Sequence, residues 1–130
     1  MAVTHSTAAR NAATDAVTAL IGASGKLAFR TSPSTVAAPG TVVATLTFSA
    51  TAFGASSTGT ATANAITSDT NAAGNASPVA FATLQTSAGT VVIHCAVAAS
   101  ASDINMTNGL TVAAGDTVSC SSLTYTALIA

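Results

Sequence analysis

The residues of this chain that could perform acid–base, nucleophilic or metal chemistry are few and far apart. Only two histidines are present, His5 and His94. His5 lies in an N-terminal segment that we expect to be loosely held, and His94 lies inside an apolar strand pattern, where a hydrogen-bonded core histidine is expected. No two carboxylates are close in sequence, so paired-carboxylate chemistry has no support. The aspartates are Asp15, Asp69, Asp103 and Asp116.

The same residues contain no motif for a metal or a cofactor. No paired-cysteine or histidine–glutamate spacing is present. Serine and threonine are abundant, but a hydroxyl nucleophile needs a positioned base, and His94 is the only candidate. We therefore predict a protein that is not an enzyme, with no catalytic residues, no metal site and no cofactor.

The cationic residues Arg10, Lys26 and Arg30 are candidates for an interface. Lys26 and Arg30 fall on the same outward face of a predicted strand, because side chains alternate along a strand. One interpretation is a solvated sheet edge that discourages wrong pairing, and the other is contact with an acidic patch on a partner. A net charge of −1 offers no footprint for nucleic acid or an anionic membrane, so we expect neither as a partner.

The composition is unusual in its lack of charge. Only 5% of the residues are charged, whereas about a quarter are charged in an average soluble protein. Alanine, threonine and serine dominate, and a surface kept soluble by hydroxyl groups has little colloidal repulsion. Such a surface suits a protein that packs against neighbours in an assembly. The alternative is a genome or compartment that favours alanine and threonine.

The apolar segments, the first residues and the cysteines indicate the cellular compartment in which we expect the protein. No apolar run approaches the ~20 residues of a membrane span. The first residues lack the basic region and apolar core of a secretory signal, so we expect synthesis in a cytoplasm. Cys95 and Cys120 are then expected to be reduced, although a disulfide between them remains open if their strands are neighbours.

Residues 6–21 have the pattern of a helix capped by Ser6 or Thr7 and ended by Gly22. The spacing predicts docking through an apolar stripe, on the chain's own sheet in preference to another subunit. Polar residues take the other side of this helix. The predicted stripe is Ala9, Ala13, Ala16, Val17, Leu20 and Ile21.

A hairpin from Val79 to Val97 is the predicted centre of the sheet. Its apolar runs, 79–84 and 91–97, flank a tight link at Gly89. The second run is apolar on both faces, which is typical of a strand covered on both sides. Further strands are predicted at 26–31, 41–49, 60–66 and 103–106, with a long final strand at 117–129 that carries a bulge at Ser121–Ser122.

This count predicts an all-β fold, a two-sheet antiparallel β-sandwich or jelly-roll-like domain with one short N-terminal α-helix. Residues 1–25 would form an arm and helix on or beside the sandwich, and residues 26–130 the sandwich itself, within one structural domain overall.

Several stretches resemble a family of small structural proteins encoded by tailed bacteriophages. They are Thr7–Ala12, Gly25–Leu27, Leu46–Ser49, Ala52–Ala55, Ala61–Asp69, Ser87–Gly89 and Val118–Thr124. Together they span nearly the whole chain.

The resemblance implies a virion protein, made in the host cytoplasm and located on the capsid surface. A head decoration (cement) protein is the leading expectation, bridging and stabilising subunits of the major capsid protein or contacting other virion proteins. We expect a homo-oligomer or a multi-copy assembly. The alternatives are a tail, neck or fibre component and a carbohydrate-binding module for adsorption.

Overall fold

A computed structural model describes residues 3–128, and within them the chain is mostly β with one short helix. The helix α1 spans Thr7–Ala19. The strands are β1 Lys26–Thr31, β2 Val42–Phe48, β3 Thr60–Thr62, β4 Ile66–Thr67, β5 Val79–Gln85, β6 Val91–Ala98, β7 Ile104–Asn105 and β8 Thr124–Thr126.

The strands form two sheets of unequal size. The main sheet has the order β4-β2-β1-β5-β6-β7 and curls into a half-barrel, and the second sheet pairs β3 with β8. All neighbours are antiparallel except β6 and β7, which run parallel. The core lies on one face of the main sheet, where Leu27, Phe29, Leu46 and Phe48 are buried.

The central hairpin is confirmed, but its place in the sheet differs from the prediction. β5 pairs with β6 across Gly89, which takes a φ of +98°. The strands flanked by long neighbours on both sides are β1 and β5, whereas β6 is flanked outside by the two-residue strand β7. Most of β6 is therefore only half-buried. Strand order is a long-range property that the apolar pattern of β6 does not encode.

The helix begins where the sequence predicts, since the Ser6 hydroxyl accepts a hydrogen bond from the Ala9 N–H at 3.2 Å. Its docking face is the opposite of the predicted one. Thr14 and Thr18 are buried, while Leu20 is 64% exposed and Ala9 and the other stripe alanines of the helix are exposed or half-buried. Of the predicted stripe only Ile21, just beyond the helix, is fully buried.

The physical reason lies in the hydrogen bonds that the polar face makes. Asn11 Oδ1 accepts from the Gly59 N–H at 2.7 Å, and Asp15 Oδ1 accepts from the Ser56 N–H at 2.9 Å. Thr14 Oγ1 donates to the Gly59 carbonyl at 2.6 Å. These backbone groups would be costly to leave unpaired, whereas alanine side chains gain little from burial.

The predicted final strand is wrong over most of its length. Within 117–128 only Thr124–Thr126 are in a strand, and residue 129 lies outside the described residues. Val118 forms an isolated bridge with Asp69, and the Leu123 carbonyl accepts from the Ala63 N–H at 2.8 Å. Single bonds to separate loops replace a continuous ladder, so the predicted bulge at 121–122 has no strand to interrupt.

Candidate interaction surfaces

One face of the main sheet is directed away from the core and carries polar side chains. Alternation along β1 places Lys26 and Arg30 on this face, because Leu27 and Phe29 point into the core. We call it the polar sheet face. Its members are Lys26, Arg30, Thr45, Thr47, Phe81, Thr83, Gln85 and His94.

Arg30 is at the centre of the polar sheet face and is 6% exposed, so its predicted placement on a solvated edge is wrong. Its strand lies between two others, and its guanidinium is held by neutral groups. Nε donates to Thr83 Oγ1 at 3.0 Å, Nη1 to the Gly40 carbonyl at 2.9 Å and Nη2 to Gln85 Oε1 at 3.0 Å. Burial lowers the pKa of Arg30, but an arginine remains charged.

Lys26 lies on the same face as Arg30, at the first residue of β1. Its Nζ donates to Thr47 Oγ1 at 3.1 Å, and the side chain is half-buried. An ammonium group carries three donors, so this bond to Thr47 leaves two of them for other acceptors. The interface role itself stays a prediction for both residues.

Arg10 is on a different part of the molecule. It is half-buried on α1, which packs on β3 and β8. A Cβ added to Gly59 would lie 3.2 Å from Arg10 Cβ, so the side chain covers this turn. The structure thus brings together two of the three candidate interface residues and separates the third.

His94 is hydrogen-bonded, as predicted, but its predicted place in the core is wrong, because it is half-buried on the polar sheet face. Its Nε2 lies 2.9 Å from Ser34 Oγ, which donates its proton to the Pro39 carbonyl at 2.6 Å. His94 must then donate to the hydroxyl, which is the reverse of general-base activation. Phe81 packs on the imidazole with ring centroids 5.1 Å apart. The hydrogen bond between His94 and Ser34 therefore holds loop 32–40 against the sheet.

Both cysteines are free thiols, so the disulfide left open by the sequence is not formed. Cys95 Sγ donates to the Ala82 carbonyl at 3.5 Å. Burial raises the pKa of Cys95 to about 11, with a further contribution from the carboxylate of Asp103. Burial also raises the pKa of Cys120. Neither thiol has the lowered pKa of a reactive cysteine.

All four aspartates accept hydrogen bonds from backbone N–H groups. Asp15 bonds the turn at Ser56, and Asp69 bonds Thr45 and Asn71 at 2.9 and 3.0 Å. Asp103 accepts from Ala96 and Asp116 from Ala113, each at 2.9 Å. The carboxylates therefore fix loops and strand edges.

A wide groove opens on the core side of the main sheet, and sequence reasoning missed it. It has a volume of about 710 Å³ and lies between the loops around residues 103–112 and 116–124, with Phe29 at its wall. Asp103 and Asp116 line it, together with hydroxyl and amide side chains. Because these loops contain little regular structure, no periodic pattern in the sequence marks the groove.

Within residues 3–128, no three histidine, cysteine or acidic side chains come together in a set that could hold a metal ion. None of the helices in the same range is long and apolar enough to cross a membrane. Comparisons with protein families, curated proteins and solved structures found no match.

Proposed function

We propose that this chain is a non-enzymatic structural protein of a tailed-phage virion, and in the first place a decoration protein on the head. It would bridge neighbouring subunits of the major capsid protein and stabilise the shell. The observation that carries the proposal is that the aspartates and His94 make structural hydrogen bonds within the fold. Every aspartate accepts a backbone hydrogen bond, and His94 donates to a hydroxyl that is itself held by a carbonyl.

Side chains that are committed to structural hydrogen bonds are expected in a rigid subunit that acts by contacting other proteins through its surface. The polar sheet face offers Lys26 and threonine hydroxyls at its rim. Small subunits of this kind bind a capsid lattice many times over, so weak contacts add up through repetition. The resemblance to phage structural proteins agrees with that role.

The finer fold assignment is part of the same proposal. We propose that the half-barrel and the two-stranded sheet are the two layers of a reduced β-sandwich. Phe48 of the main sheet packs on Phe53, with ring centroids 5.8 Å apart, and Ala61 of the small sheet is fully buried. These contacts support one shared core between the layers.

The copy number of the chain in purified virions tests the position in the particle. A decoration protein is expected in hundreds of copies, whereas a tail, neck or fibre component is expected in a few to tens of copies at one vertex. Quantitative mass spectrometry against the major capsid protein separates these outcomes. Absence of the chain from the particle would contradict both.

The groove favours a second candidate, a carbohydrate-binding module for adsorption. Its wall of hydroxyl, amide and carboxylate groups could hydrogen-bond a sugar. Aromatic side chains on which a sugar ring could stack are less accessible, because Phe29, Phe48 and Phe53 are buried. A glycan array with clear hits that are lost in Asp116→Asn would favour this candidate, and an array without hits would dismiss it.

A further inference from the structure

Asn108 and Gly109 form an exposed turn that follows β7 and lines the groove. Asn108 is the only asparagine of the chain that is followed by glycine. Gly109 has a φ of +110°, a left-handed value that glycine adopts without strain. A Cβ built on Gly109 would meet no atom within 4 Å, so the space around this residue is open.

Four of the other asparagines are held through their side chains. The Oδ1 atoms of Asn11, Asn75 and Asn105 accept hydrogen bonds from backbone N–H groups at 2.7, 2.8 and 3.0 Å. Asn64 Nδ2 donates to the Thr51 carbonyl at 2.8 Å. A side-chain amide bonded in this way must give up that bond before its carbon can meet the following backbone nitrogen.

The fifth, Asn71, is held through the residue that follows it. The Ala72 N–H donates to the Asp116 carbonyl at 3.0 Å, and Ala72 is buried. The side chain of Asn108, by contrast, makes no hydrogen bond within residues 3–128. The residue after Asn108 also has no Cβ that would shield its backbone nitrogen.

We propose that Asn108 is a site of spontaneous deamidation through a succinimide. The backbone nitrogen of Gly109 attacks Cγ of Asn108, and the new C–N bond closes the ring. The bond between Cγ and Nδ2 breaks, and Nδ2 leaves as ammonia with the proton that the Gly109 nitrogen gives up.

Water then opens the ring at either of its two carbonyl carbons. Opening at the carbonyl of the side chain gives aspartate at position 108. Opening at the carbonyl of the main chain gives isoaspartate, in which the main chain continues through the side-chain carbon. The whole step consumes one water and releases one ammonia, and nothing is oxidised or reduced.

Both products add a carboxylate to the wall of the groove, which Asp103 and Asp116 already line. The formal net charge of −1 becomes more negative by one unit. The added charge makes the potential in the groove more negative, so the modified groove should attract cations more strongly. This modification is independent of the virion assignment, and either can fail while the other stands.

Anion-exchange chromatography of the purified chain, incubated for increasing times in alkaline buffer, tests the proposal. An acidic form should accumulate and elute with the variant Asn108→Asp, and peptide mapping by mass spectrometry should place the change at position 108. The rate should rise with pH, because the attacking nitrogen must lose its proton. Asn108→Gln is the control and should form this product far more slowly, since its ring would be larger. Equal accumulation in N108Q, or no acidic form in the native chain, would overturn the proposal.

Asn71 is the matched control within the same molecule. It should keep its amide in the folded chain and react faster in urea, where the Ala72 N–H is released. The rate at Asn108 should differ between the folded and the unfolded chain by less than about tenfold, or about 1.4 kcal/mol in the barrier, because the turn is already exposed. Stronger protection of Asn108 on folding would overturn the proposal, as would equal rates at Asn71 in both states.

Gly109→Ala tests the need for a residue without a Cβ. The rate at Asn108 should fall by about tenfold or more, which corresponds to about 1.4 kcal/mol in the barrier. A φ of +110° is strained for alanine, so circular dichroism must show that the variant is folded. An unchanged rate in folded G109A would overturn the proposal, and if G109A does not fold, the comparison with N108Q decides.

Discussion

Thr14 Oγ1 donates a hydrogen bond to the carbonyl oxygen of Gly59 at 2.6 Å, across 45 residues of sequence. The same hydroxyl accepts from the Ala127 N–H at 3.1 Å. A single fully buried side chain therefore joins α1, the turn before β3 and the segment after β8. The N-terminal helix docks by hydrogen bonding, and its alanine face is left at the surface.

Replacing Thr14 by valine should therefore be strongly destabilising. Valine keeps the shape, but it leaves a buried carbonyl and the Ala127 N–H without their partner. Each buried unsatisfied group costs about 1–3 kcal/mol, so we expect the free energy of unfolding in urea to fall by about 2–4 kcal/mol. Thr18→Val is the control, because the Thr18 hydroxyl donates to the Asp15 carbonyl within the same helix. Equal losses in the two variants would refute this account of docking.

A pair of glycines tests the packing of Arg10 on the turn. Gly59 and Gly115 have nearly the same left-handed backbone, with φ of +84° and +89°. A Cβ on Gly59 would lie 3.2 Å from Arg10 Cβ, whereas one on Gly115 would meet nothing within 4 Å. Gly115→Ala should cost about 1–2 kcal/mol of backbone strain, and Gly59→Ala should cost more. Equal midpoints in thermal unfolding would show that Arg10 moves aside freely.

Much of the local structure could be predicted from the sequence, because its causes are local. Ser6 caps the helix and Gly89 closes the hairpin, as short-range rules predict. The helix face could not be predicted, since the partners of Asn11 and Thr14 lie more than 40 residues away. An alanine stripe has the same period whether it faces a core or the solvent.

The candidate surfaces were only partly predictable for a related reason. Alternation correctly places Lys26 and Arg30 on one face of a strand. The burial of Arg30 depends on β1 lying between two neighbouring strands. Strand order cannot be predicted from the alternation of residues along one strand. The groove arises where 117–123 bonds to separate loops, although its alternating residues resemble a strand.

Arg30 should contribute to stability far more than Lys26, although both are cations on the same strand. Arg30→Met leaves Thr83 Oγ1 and the Gly40 carbonyl without the donors that Arg30 supplies, while Gln85 Oε1 keeps only the Thr83 hydroxyl at 2.8 Å. We expect a loss of about 2–3 kcal/mol in urea unfolding. Lys26→Met removes one bond to a half-buried hydroxyl and should change stability by less than about 1 kcal/mol. Arg30→Lys should rescue little, because lysine lacks the fork of donors. Similar losses at both positions would argue against the network around Arg30.

The stability of the protein should fall at alkaline pH through Cys95. Its pKa rises from 9.0 to about 11 on folding, chiefly because of burial. The folded protein therefore holds the thiol proton more tightly than the unfolded chain. The resulting stability is complete below about pH 9 and is lost as the pH rises towards about 11. Urea unfolding between these values should show the decline in the native chain and a flatter profile in Cys95→Ala. Identical profiles would assign the alkaline decline to other groups.

The central claim is that this chain is a structural protein of a phage head, and cryo-electron microscopy of the virion tests it most directly. The account predicts repeated density on the capsid lattice into which the helix and the two sheets of residues 3–128 fit, with the polar sheet face or the groove at a contact. A head reconstruction in which no density fits this chain would contradict the claim.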